Sequence, residues 1–325
     1  MNARRASVAG RLMIGAVVTA IAAVISMPAH AQDYPTQPVR MLGPLAGGGS
    51  DMVMRLIAPV LRTALGQPVI VDNRPSLLIP EVGMKAPPDG HTLLVLGSSF
   101  MIGHLIRDTP WDPVRDFAPV VLADTAPSVL LTHPSLPVKS VKELIALSKA
   151  RPNDLNYASG TPGSSPHLAT ELFKNVSGAK MTLVAYKSNG HAMLSLIGGE
   201  THVMFKDSAG VDQFIKARSV RALAVTTAAP SPLFPDLPTL AASGVPGYEA
   251  IAIDAFYAPA KTPPAIINRL NQEIVRALNQ PDVKQTLFTS GMVVAGGTPE
   301  QLGAFLKSEI AKWGKVIRDA GIRMN

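Results

Sequence analysis

The 325-residue chain contains no cysteine, few aromatic residues and few charges. Without cysteine it can form no disulfide, no Cys-ligated zinc or iron–sulfur site, no thiolate nucleophile and no lipid attachment at an N-terminal Cys. Only 16% of its residues are charged and 47% are hydrophobic, which excludes a disordered polyelectrolyte and is typical of a globular protein. With five Tyr, two Trp and no cluster of Lys or Arg, nothing indicates a nucleic-acid surface.

Apolar runs long enough to cross a membrane are also missing. The run from Leu12 to Ile25 has 14 residues, short of the roughly 20 that a spanning helix needs. Three arginines precede it, the last of them Arg11, and small residues around Ala31 follow it. We therefore predict a secretory signal peptide over residues 1–31, cleaved near Ala31, with a membrane anchor as the less favoured alternative. Removing its three arginines lowers the net charge from +7 to +4.

The rest of the sequence alternates short β-branched or aliphatic runs with longer segments of helical periodicity. This alternation is the pattern of an α/β fold with largely parallel strands. Residues 230–246 are predicted to be irregular, because their prolines fix the backbone and remove hydrogen-bond donors. Strands are predicted at residues 39–42, 69–71, 92–96, 120–122, 129–132, 155–158, 181–186, 203–205 and 222–226, and helices at residues 52–65, 141–150, 168–176, 192–197, 264–278, 281–290 and 299–319.

Two loops share a design that suits an anion: an apolar strand, a segment rich in Gly and small hydroxyl residues, and then a helix. They span residues 43–51, the first loop, and residues 159–167, the second loop. Such a loop exposes backbone N–H groups at the positive end of a helix dipole, where a carboxylate or phosphate can bind without an arginine. Neither loop matches a P-loop or a dinucleotide-binding fingerprint. Each loop alone could be a flexible turn, whereas two facing one cleft would form a clamp.

Several side chains in and near these loops have more than one interpretation. Asp51 is expected to cap the first helix, and Ser50 either to cap it or to bond a ligand. His167 either bonds a ligand or caps and packs its own helix. Lys206 and Asp207 follow a predicted strand at its carboxyl end, where ligand crevices open in α/β sheets, and a solvated ion pair is the alternative.

The common catalytic and metal-binding patterns are absent from the sequence. It contains no G-x-S-x-G elbow, no H-E-x-x-H motif and no paired-His spacing. We therefore predict no catalytic residue, no metal site and no cofactor. The alternative is an exported hydrolase or isomerase acting on a small carboxylate, with Asp51, His167, Lys206 or Asp207 as acid–base groups.

The order of short motifs along the chain resembles the solute receptors of tripartite tricarboxylate transporters, also called Bug-type receptors. The resemblance covers essentially the whole chain after residue 31. The motifs that carry it are YPTQPV (34–39), PLAGGGSD (44–51), LGQPV (65–69), DNRP (72–75), PDGHTL (88–93), DPVRDFAP (112–119), HPSLP (133–137), NYASG (156–160), SPHL (165–168), RALAVT (221–226), PDLPT (235–239) and GVPGYE (244–249).

This resemblance implies a type II periplasmic binding protein, in which two lobes close over a ligand as a Venus flytrap. It implies one lobe of residues 32–127 plus 255–325 and another of residues 128–254, each with a largely parallel sheet. It further implies a periplasmic receptor without catalysis, which delivers a small organic carboxylate to inner-membrane permease subunits. We expect a monomer, the default state of a freely diffusing receptor, although the residues leave a weak dimer open. A flytrap sensor for a membrane kinase is an alternative that the sequence leaves open.

In that family the two loops hold the ligand carboxylate, mainly through backbone and hydroxyl groups and partly through ordered water. Carried over to this chain, and joined by the two residues after the strand at 203–205, this gives the expected ligand-binding set. The set comprises Pro44, Leu45, Ala46, Gly47, Gly48, Gly49, Ser50, Asp51, Ser159, Gly160, Thr161, Gly163, Ser164, Ser165, His167, Lys206 and Asp207.

Two departures from the family pattern bear on the ligand. Residues 76–80 are mostly apolar and shorter than the usual Gly-rich continuation, which predicts a more hydrophobic pocket mouth. Lys206 and Asp207 stand where relatives commonly carry an acid followed by Asn. Because an acid there could hold a ligand ammonium, the lysine argues against an amino-acid ligand. We hypothesise that Lys206 pairs with a second anionic group, which favours a dicarboxylate or an aromatic carboxylate.

Overall fold

The computed structural model describes residues 34–152, 154–160 and 164–322. The predicted signal peptide, and Thr161 and Gly163 of the second loop, lie outside the described residues. Residues 37–325 form one compact unit, called the second unit here, which contains the described helices and strands. Within the described part, none of the helices combines the length and the apolar character that crossing a membrane would require.

Strands and helices alternate along most of the second unit. The strands are β1 (Val39–Gly43), β2 (Val69–Asn73), β3 (Thr92–Gly97), β4 (Phe117–Thr132), β5 (Asn156–Ser159), β6 (Thr182–Ala185), β7 (Val203–Asp207), β8 (Arg221–Val225), β9 (Ile251–Pro259) and β10 (Val293–Gly296). The helices are α1 (Gly49–Leu65), α2 (Ile79–Met84), α3 (Ser98–Ile106), α4 (Val141–Ala150), α5 (Ser165–Ser177), α6 (Asn189–Ile197), α7 (Asp212–Lys216), α8 (Pro264–Leu278), α9 (Pro281–Thr289) and α10 (Pro299–Ala320).

Glycine and proline set the bounds of several helices. α1 ends at Gly66, which adopts the left-handed conformation (φ 69°) that glycine tolerates at a helix C-cap. α8, α9 and α10 carry proline in the first turn, where a missing N–H costs nothing. α10 also begins with a capping box between Thr298 and Gln301. Because these signals are local, the predicted bounds of the three C-terminal helices are confirmed to within one residue.

The strands form two sheets that share β4. In the first sheet the order is β2-β1-β3-β9-β4, and β10 also pairs with β4. In the second sheet the order is β4-β7-β5-β6, and β8 also pairs with β4. β4 pairs with β9 as far as Pro127 and with β7 from Ser128 onward. A single strand of 16 residues therefore passes from one sheet to the other.

The predicted two-lobe α/β fold class is confirmed, and both sheets are mixed rather than largely parallel. β1 pairs in parallel with β2 and β3, as β5 does with β6 and β7. Every antiparallel pair of the described strands involves β4 or β9. Side chains alternate between the two faces of a sheet in parallel and in antiparallel strands, so an apolar run does not reveal how a strand pairs with its neighbour. The parallel prediction therefore holds only for the pairs that β1 and β5 make.

β4 differs from the two separate strands predicted at residues 120–122 and 129–132. Pro119 and Pro127 interrupt the apolar pattern, yet the strand continues through both prolines. Its pairing with β9 is irregular between Pro119 and Val121, so the sheet bulges where proline supplies no donor. The predicted irregularity of residues 230–246 is confirmed, since no helix or strand occurs there.

The hydrophobic core is continuous across both sheets. One cluster of buried side chains includes Leu94 and Tyr257 from the first sheet and Leu130 and Phe205 from the second. α10 contacts both α3, which follows the first sheet's β3, and α5, which follows the second sheet's β5. Its buried Trp313 donates a hydrogen bond from Nε1 to Glu309 Oε2 over 2.8 Å. The C-terminal helix therefore joins the helix layers of the two sheets.

Candidate functional site

The two predicted loops occupy equivalent places in the two sheets. The first loop leads from β1 into the first turn of α1, which begins at Gly49. The second loop leads from β5 into the first turn of α5, which begins at Ser165. Within the described residues, neither α1 nor α5 has a side chain that caps its first turn. Because the first N–H groups of a helix have no partner inside the helix, both helices can offer donors to an anion.

The middle of the first loop is open to solvent. Residues 45–49 are exposed, Pro44 is half-buried, and the side chain of Leu45 is 63% accessible. Gly47 has φ 99°, a left-handed conformation that favours glycine, and no atom lies within 4 Å of the position that a Cβ would take. Gly47, Gly48 and Gly49 therefore present backbone to the solvent, whereas Leu45 and Ala46 also expose their side chains.

Asp51 ties the first loop together from its buried end. Its carboxylate accepts hydrogen bonds from Arg55 Nε at 3.0 Å, from Asn73 Nδ2 at 2.9 Å and from the Gly47 N–H at 3.1 Å. Asn73 Nδ2 also donates to the Pro44 carbonyl. The Arg55 hydrogen bond, with those of Asn73 and Gly47, lowers the pKa of Asp51 against the opposing effect of burial. This carboxylate therefore acts as an anchor of the loop.

Ser50 reaches a pair of buried acids that the sequence analysis missed. Its hydroxyl donates a hydrogen bond to Asp254 Oδ1. Asp254 on β9 lies opposite Asp124 on β4 in the sheet register. Burial raises the pKa of both carboxyl groups, and the charge of Asp254 adds to the shift at Asp124. In the described part of the chain, Asp124 Oδ2 is buried without a hydrogen-bond partner.

The described residues of the second loop are more enclosed than those of the first. Ser159 is fully buried, and its hydroxyl lies 3.4 Å from that of Ser164. The Gly160 N–H donates to Asn189 Oδ1 over 3.1 Å, which fixes the loop against α6. Ser165 opens α5 and is half-buried. The described residues of the second loop are thus held by a serine hydroxyl of the loop itself and by the side-chain amide of Asn189 on α6.

His167 packs inside the second sheet's helix layer. It is 5% accessible, and its ring stacks on that of Tyr157 with centroids 6.4 Å apart and an interplanar angle of 12°. The Tyr157 hydroxyl in turn bonds Glu171. Burial lowers the pKa of His167, so its neutral form is favoured. The described contacts correspond to the packing interpretation of this histidine.

Lys206 and Asp207 end β7 near the point where β4 changes sheets. Lys206 Nζ donates to the backbone carbonyls of Asp207 and Ala209, at 3.1 Å each. The Asp207 carboxylate accepts a hydrogen bond from Ser128 Oγ at 3.3 Å. Burial is the main cause that raises the pKa of Asp207, while the charge of Lys206 opposes it. The ammonium of Lys206 therefore bonds backbone carbonyls of the turn that follows it.

A cavity of about 350 Å³ lies where the two loops approach each other. Its wall is mostly α3 with the end of β3, completed by residues 76–80 and by one residue from each loop. A volume near the lower end of the range for ligand pockets suits a small molecule. The lining residues are Pro44, Ser76, Leu77, Pro80, Leu96, Gly97, Ser99, Phe100, Ile102, Gly103, Ile106, Arg107, Trp111 and Ser164.

The cavity brings together only part of the expected set. Pro44 and Ser164 line it, whereas Asp51, His167 and Lys206 are engaged elsewhere. Its largest contributor, α3, was not predicted. A signal was present, because β3 ends at Gly97 and Ser98-Ser99 then open a helix, which resembles the design of the two loops. Within the described residues, no group of three or more His, Cys, Asp or Glu side chains could hold a metal ion.

These features define a class of protein. Two sheets share a strand, and a cavity is lined by the loop after the first strand of one sheet and by the loop after β5 of the other. Ligands of open α/β sheets bind at the carboxyl ends of strands. The arrangement is that of a two-lobe solute-binding protein.

Comparison with known proteins supplies the family. A family model for the tripartite tricarboxylate transporter family receptor matches residues 53–322. Protein BugT of Bordetella pertussis is 35% identical over 307 residues, covering 92% of this chain and 94% of BugT. The chain therefore belongs to the tripartite tricarboxylate transporter receptor family, whose members are periplasmic solute receptors.

Solved structures agree with this assignment. An R. palustris protein solved with adipate is 35% identical, with a TM-score of 0.73, over 89% of this chain and 99% of that one. MatC from Rhodopseudomonas palustris, solved with bound malate, is 28% identical, with a TM-score of 0.70, over 87% of this chain and 100% of that one. Both neighbours share the fold over nearly their entire length.

Proposed function

We propose that this protein captures a small carboxylate in the cleft between two lobes and delivers it to a tripartite tricarboxylate-type membrane permease. The observation that carries the proposal is that Pro44 of the first loop and Ser164 of the second line the same cavity. One ligand can therefore contact both loops at once. The adipate and malate bound to two structural neighbours support a carboxylate as the ligand class.

The proposed capture uses backbone donors at the starts of α1 and α5. Neither helix has a side-chain cap among the described residues, so the partial positive charge of each N-terminus is available to a carboxylate. Asp51 takes part indirectly by fixing the loop, and Ser50 by bonding Asp254. Thr161 and Gly163 remain members of the proposed site by their position in the second loop.

One proposed lobe comprises residues 32–127 and 255–325, and the other comprises residues 128–254. The change of partner along β4, from β9 at Pro127 to β7 at Ser128, supports a first crossing at this point. β9 pairs with β4 from Ile251 onward, which supports a return crossing at residues 250–251, slightly before the expected residue 254. Both crossings lie beside Ser128 and Thr226, which hydrogen-bond each other.

We further propose that the receptor is exported to the periplasm, is monomeric there and carries out no catalysis. The family supports the location. The contacts of the candidate acid–base groups support a binding role. Asp51 is paired with Arg55, and His167 is stacked on Tyr157. Lys206 bonds two carbonyls, and Asp207 accepts a hydrogen bond from Ser128. None of the four candidates is among the described residues that line the cavity.

The proposal is tested with protein exported from the full-length gene. N-terminal sequencing is expected to give Gln32, and calorimetry against mono-, di- and tricarboxylates, aromatic acids and amino acids is expected to find a selective carboxylate. A ligand present at 100 times its dissociation constant raises the free energy of unfolding of the protein by about 2.7 kcal/mol, so binding also stabilises the protein against unfolding. NMR of the recovered ligand is expected to show an unchanged compound. Binding of no carboxylate, or conversion of the bound compound, would contradict the receptor function.

A further inference from the structure

The cavity has an apolar body and a single cationic side chain. Phe100 and Trp111 stack in its wall with ring centroids 5.2 Å apart, and Ile102 and Ile106 extend the same surface. Of its described lining residues, Arg107 alone carries a charge. Since large aromatic and aliphatic walls stabilise apolar groups, the central part of a ligand here should be hydrocarbon.

Arg107 is placed to bind an anion at one end of this apolar wall. It is the half-buried C-cap residue of α3. A methyl group on Gly103 would lie 3.4 Å from Arg107 Nη2 and 3.5 Å from Trp111 Cη2, so the guanidinium lies beside the aromatic wall. Arg107 takes part in none of the ion pairs that the described residues form. A guanidinium favours bidentate pairing with a carboxylate.

The other basic candidate for such a role is Lys206. Its ammonium already donates to two backbone carbonyls at 3.1 Å each, and it does not line the cavity. Arg107 shares the cavity with Pro44 and Ser164, the residues contributed by the two loops. A ligand held by the loops at one end can therefore meet Arg107 at its other end.

The structure assigns to Arg107 the recognition of a second anionic group on the ligand. We infer a ligand class of dicarboxylates whose two carboxylates are separated by an aliphatic chain or an aromatic ring. One carboxylate binds the loops, the hydrocarbon lies on Phe100 and Trp111, and the other carboxylate pairs with Arg107. This inference rests on the proposed function and deepens it by naming the specificity-determining residue.

The test compares ligands that differ only in the second charge. Calorimetry with linear dicarboxylates of four to eight carbons and with benzene-1,4-dicarboxylate is set against their monomethyl esters. For the wild-type protein we expect the best diacid to bind about 10- to 100-fold more tightly than its ester, as a charge-assisted pair contributes. Because this comparison uses no variant, it stands even if a substitution disturbs folding.

Variants then locate the effect at Arg107. Arg107→Gln is expected to remove most of the preference for the diacid while changing the affinity for the ester less than about threefold, and Arg107→Lys to restore part of it. Arg151→Gln is the matched control, because Arg151 is the C-cap residue of α4 and does not line the cavity. It removes the same charge from an equivalent helix position, and the preference should remain.

The outcomes separate this inference from the proposed function. If the wild-type protein binds diacids and esters equally, or if Arg107→Gln retains the preference, the assignment of Arg107 is wrong while carboxylate capture stands. If no carboxylate of either kind binds, the proposed function itself fails. A loss of preference in Arg151→Gln equal to that in Arg107→Gln would also overturn the assignment, because a general charge effect would then explain it.

Discussion

Asp124 and Asp254 are neighbouring carboxyl groups with raised pKa values, and their stability effect has a definite sign. A folded-state pKa above the ordinary 3.8 means that the folded protein holds protons that the unfolded chain releases as the pH rises. The free energy of unfolding therefore falls as the pH rises above about 4, until the folded-state groups also ionise. This direction is opposite to that of a salt-bridged acid.

Asp124→Asn should remove most of the stability that the ionisation of this buried carboxyl group costs, because asparagine resembles the neutral acid in shape and does not ionise. We expect the variant to exceed the wild-type protein in unfolding free energy by about 1 kcal/mol or more at pH 7, since one pKa unit is about 1.36 kcal/mol. Below about pH 4 the advantage should vanish. Urea unfolding of both proteins from pH 4 to pH 8 measures it, and parallel pH profiles would contradict the raised pKa.

Asp51→Asn should show the reverse pH dependence. The Arg55 hydrogen bond, with those of Asn73 and Gly47, lowers the pKa of Asp51, so its contribution is present above the unfolded value and is lost as the pH falls through the folded value. We expect a loss of about 1 kcal/mol at pH 7, modest because Arg55 is largely exposed. In the same urea series, the difference from the wild-type protein should shrink below about pH 4.

At the residue scale the sequence indicates which loops reach the cavity, and it does not reveal the contacts that their side chains make. Pro44 and Ser164 follow directly from the strand–loop–helix pattern. The partners of Ser50 and Lys206 do not, because Ser50 bonds Asp254, 204 positions away in the chain, and Lys206 turns back onto its own loop. Local spacing reveals which helix end is open, whereas a side chain's partner depends on tertiary packing.

At the element scale, helices with local start and stop signals were predicted and uniformly apolar segments were missed. α8 is predicted without error at both ends. α3, Ser98–Ile106, is apolar over most of its surface, so no polar face marks the helical period. β9, Ile251–Pro259, was identified only as a crossing between lobes. Its nearly continuous burial hides the alternation that marks a half-exposed strand.

The capping box of α10 gives a prediction for a single element. The Thr298 hydroxyl accepts a hydrogen bond from the Gln301 N–H, and Gln301 Oε1 accepts one from the Thr298 N–H at 2.8 Å. Thr298→Ala should lower the unfolding free energy by about 1 kcal/mol. Thr63→Ala is the matched control, because Thr63 is exposed within α1 and bonds only the Pro59 carbonyl. Alanine there should be neutral or slightly stabilising. Equal losses in the two variants would refute the capping contribution.

At the scale of the whole molecule, ligand binding should favour the compact arrangement. The cavity takes residues from loops of both sheets, so a ligand gains all its contacts only when the two loops are close together. Small-angle scattering is expected to show a lower radius of gyration when a carboxylate that binds by calorimetry is present at saturation. A carboxylate that does not bind provides the control. An unchanged radius at saturation would contradict closure around the ligand.

The chain order of the two sheets has a consequence for biogenesis. The paired residues of the second sheet, including the second part of β4, lie within residues 128–225. In the first sheet, β9 stands between β3 and β4 and begins only at Ile251. A chain that emerges from its N-terminus can complete the second sheet while β3 and β4 still expose unpaired edges. Open edges invite association with other chains. The period of greatest aggregation risk is therefore set by the order in which the chain emerges, and it ends only after residues 251–259 and then residues 293–296, which also pair with β4, have arrived.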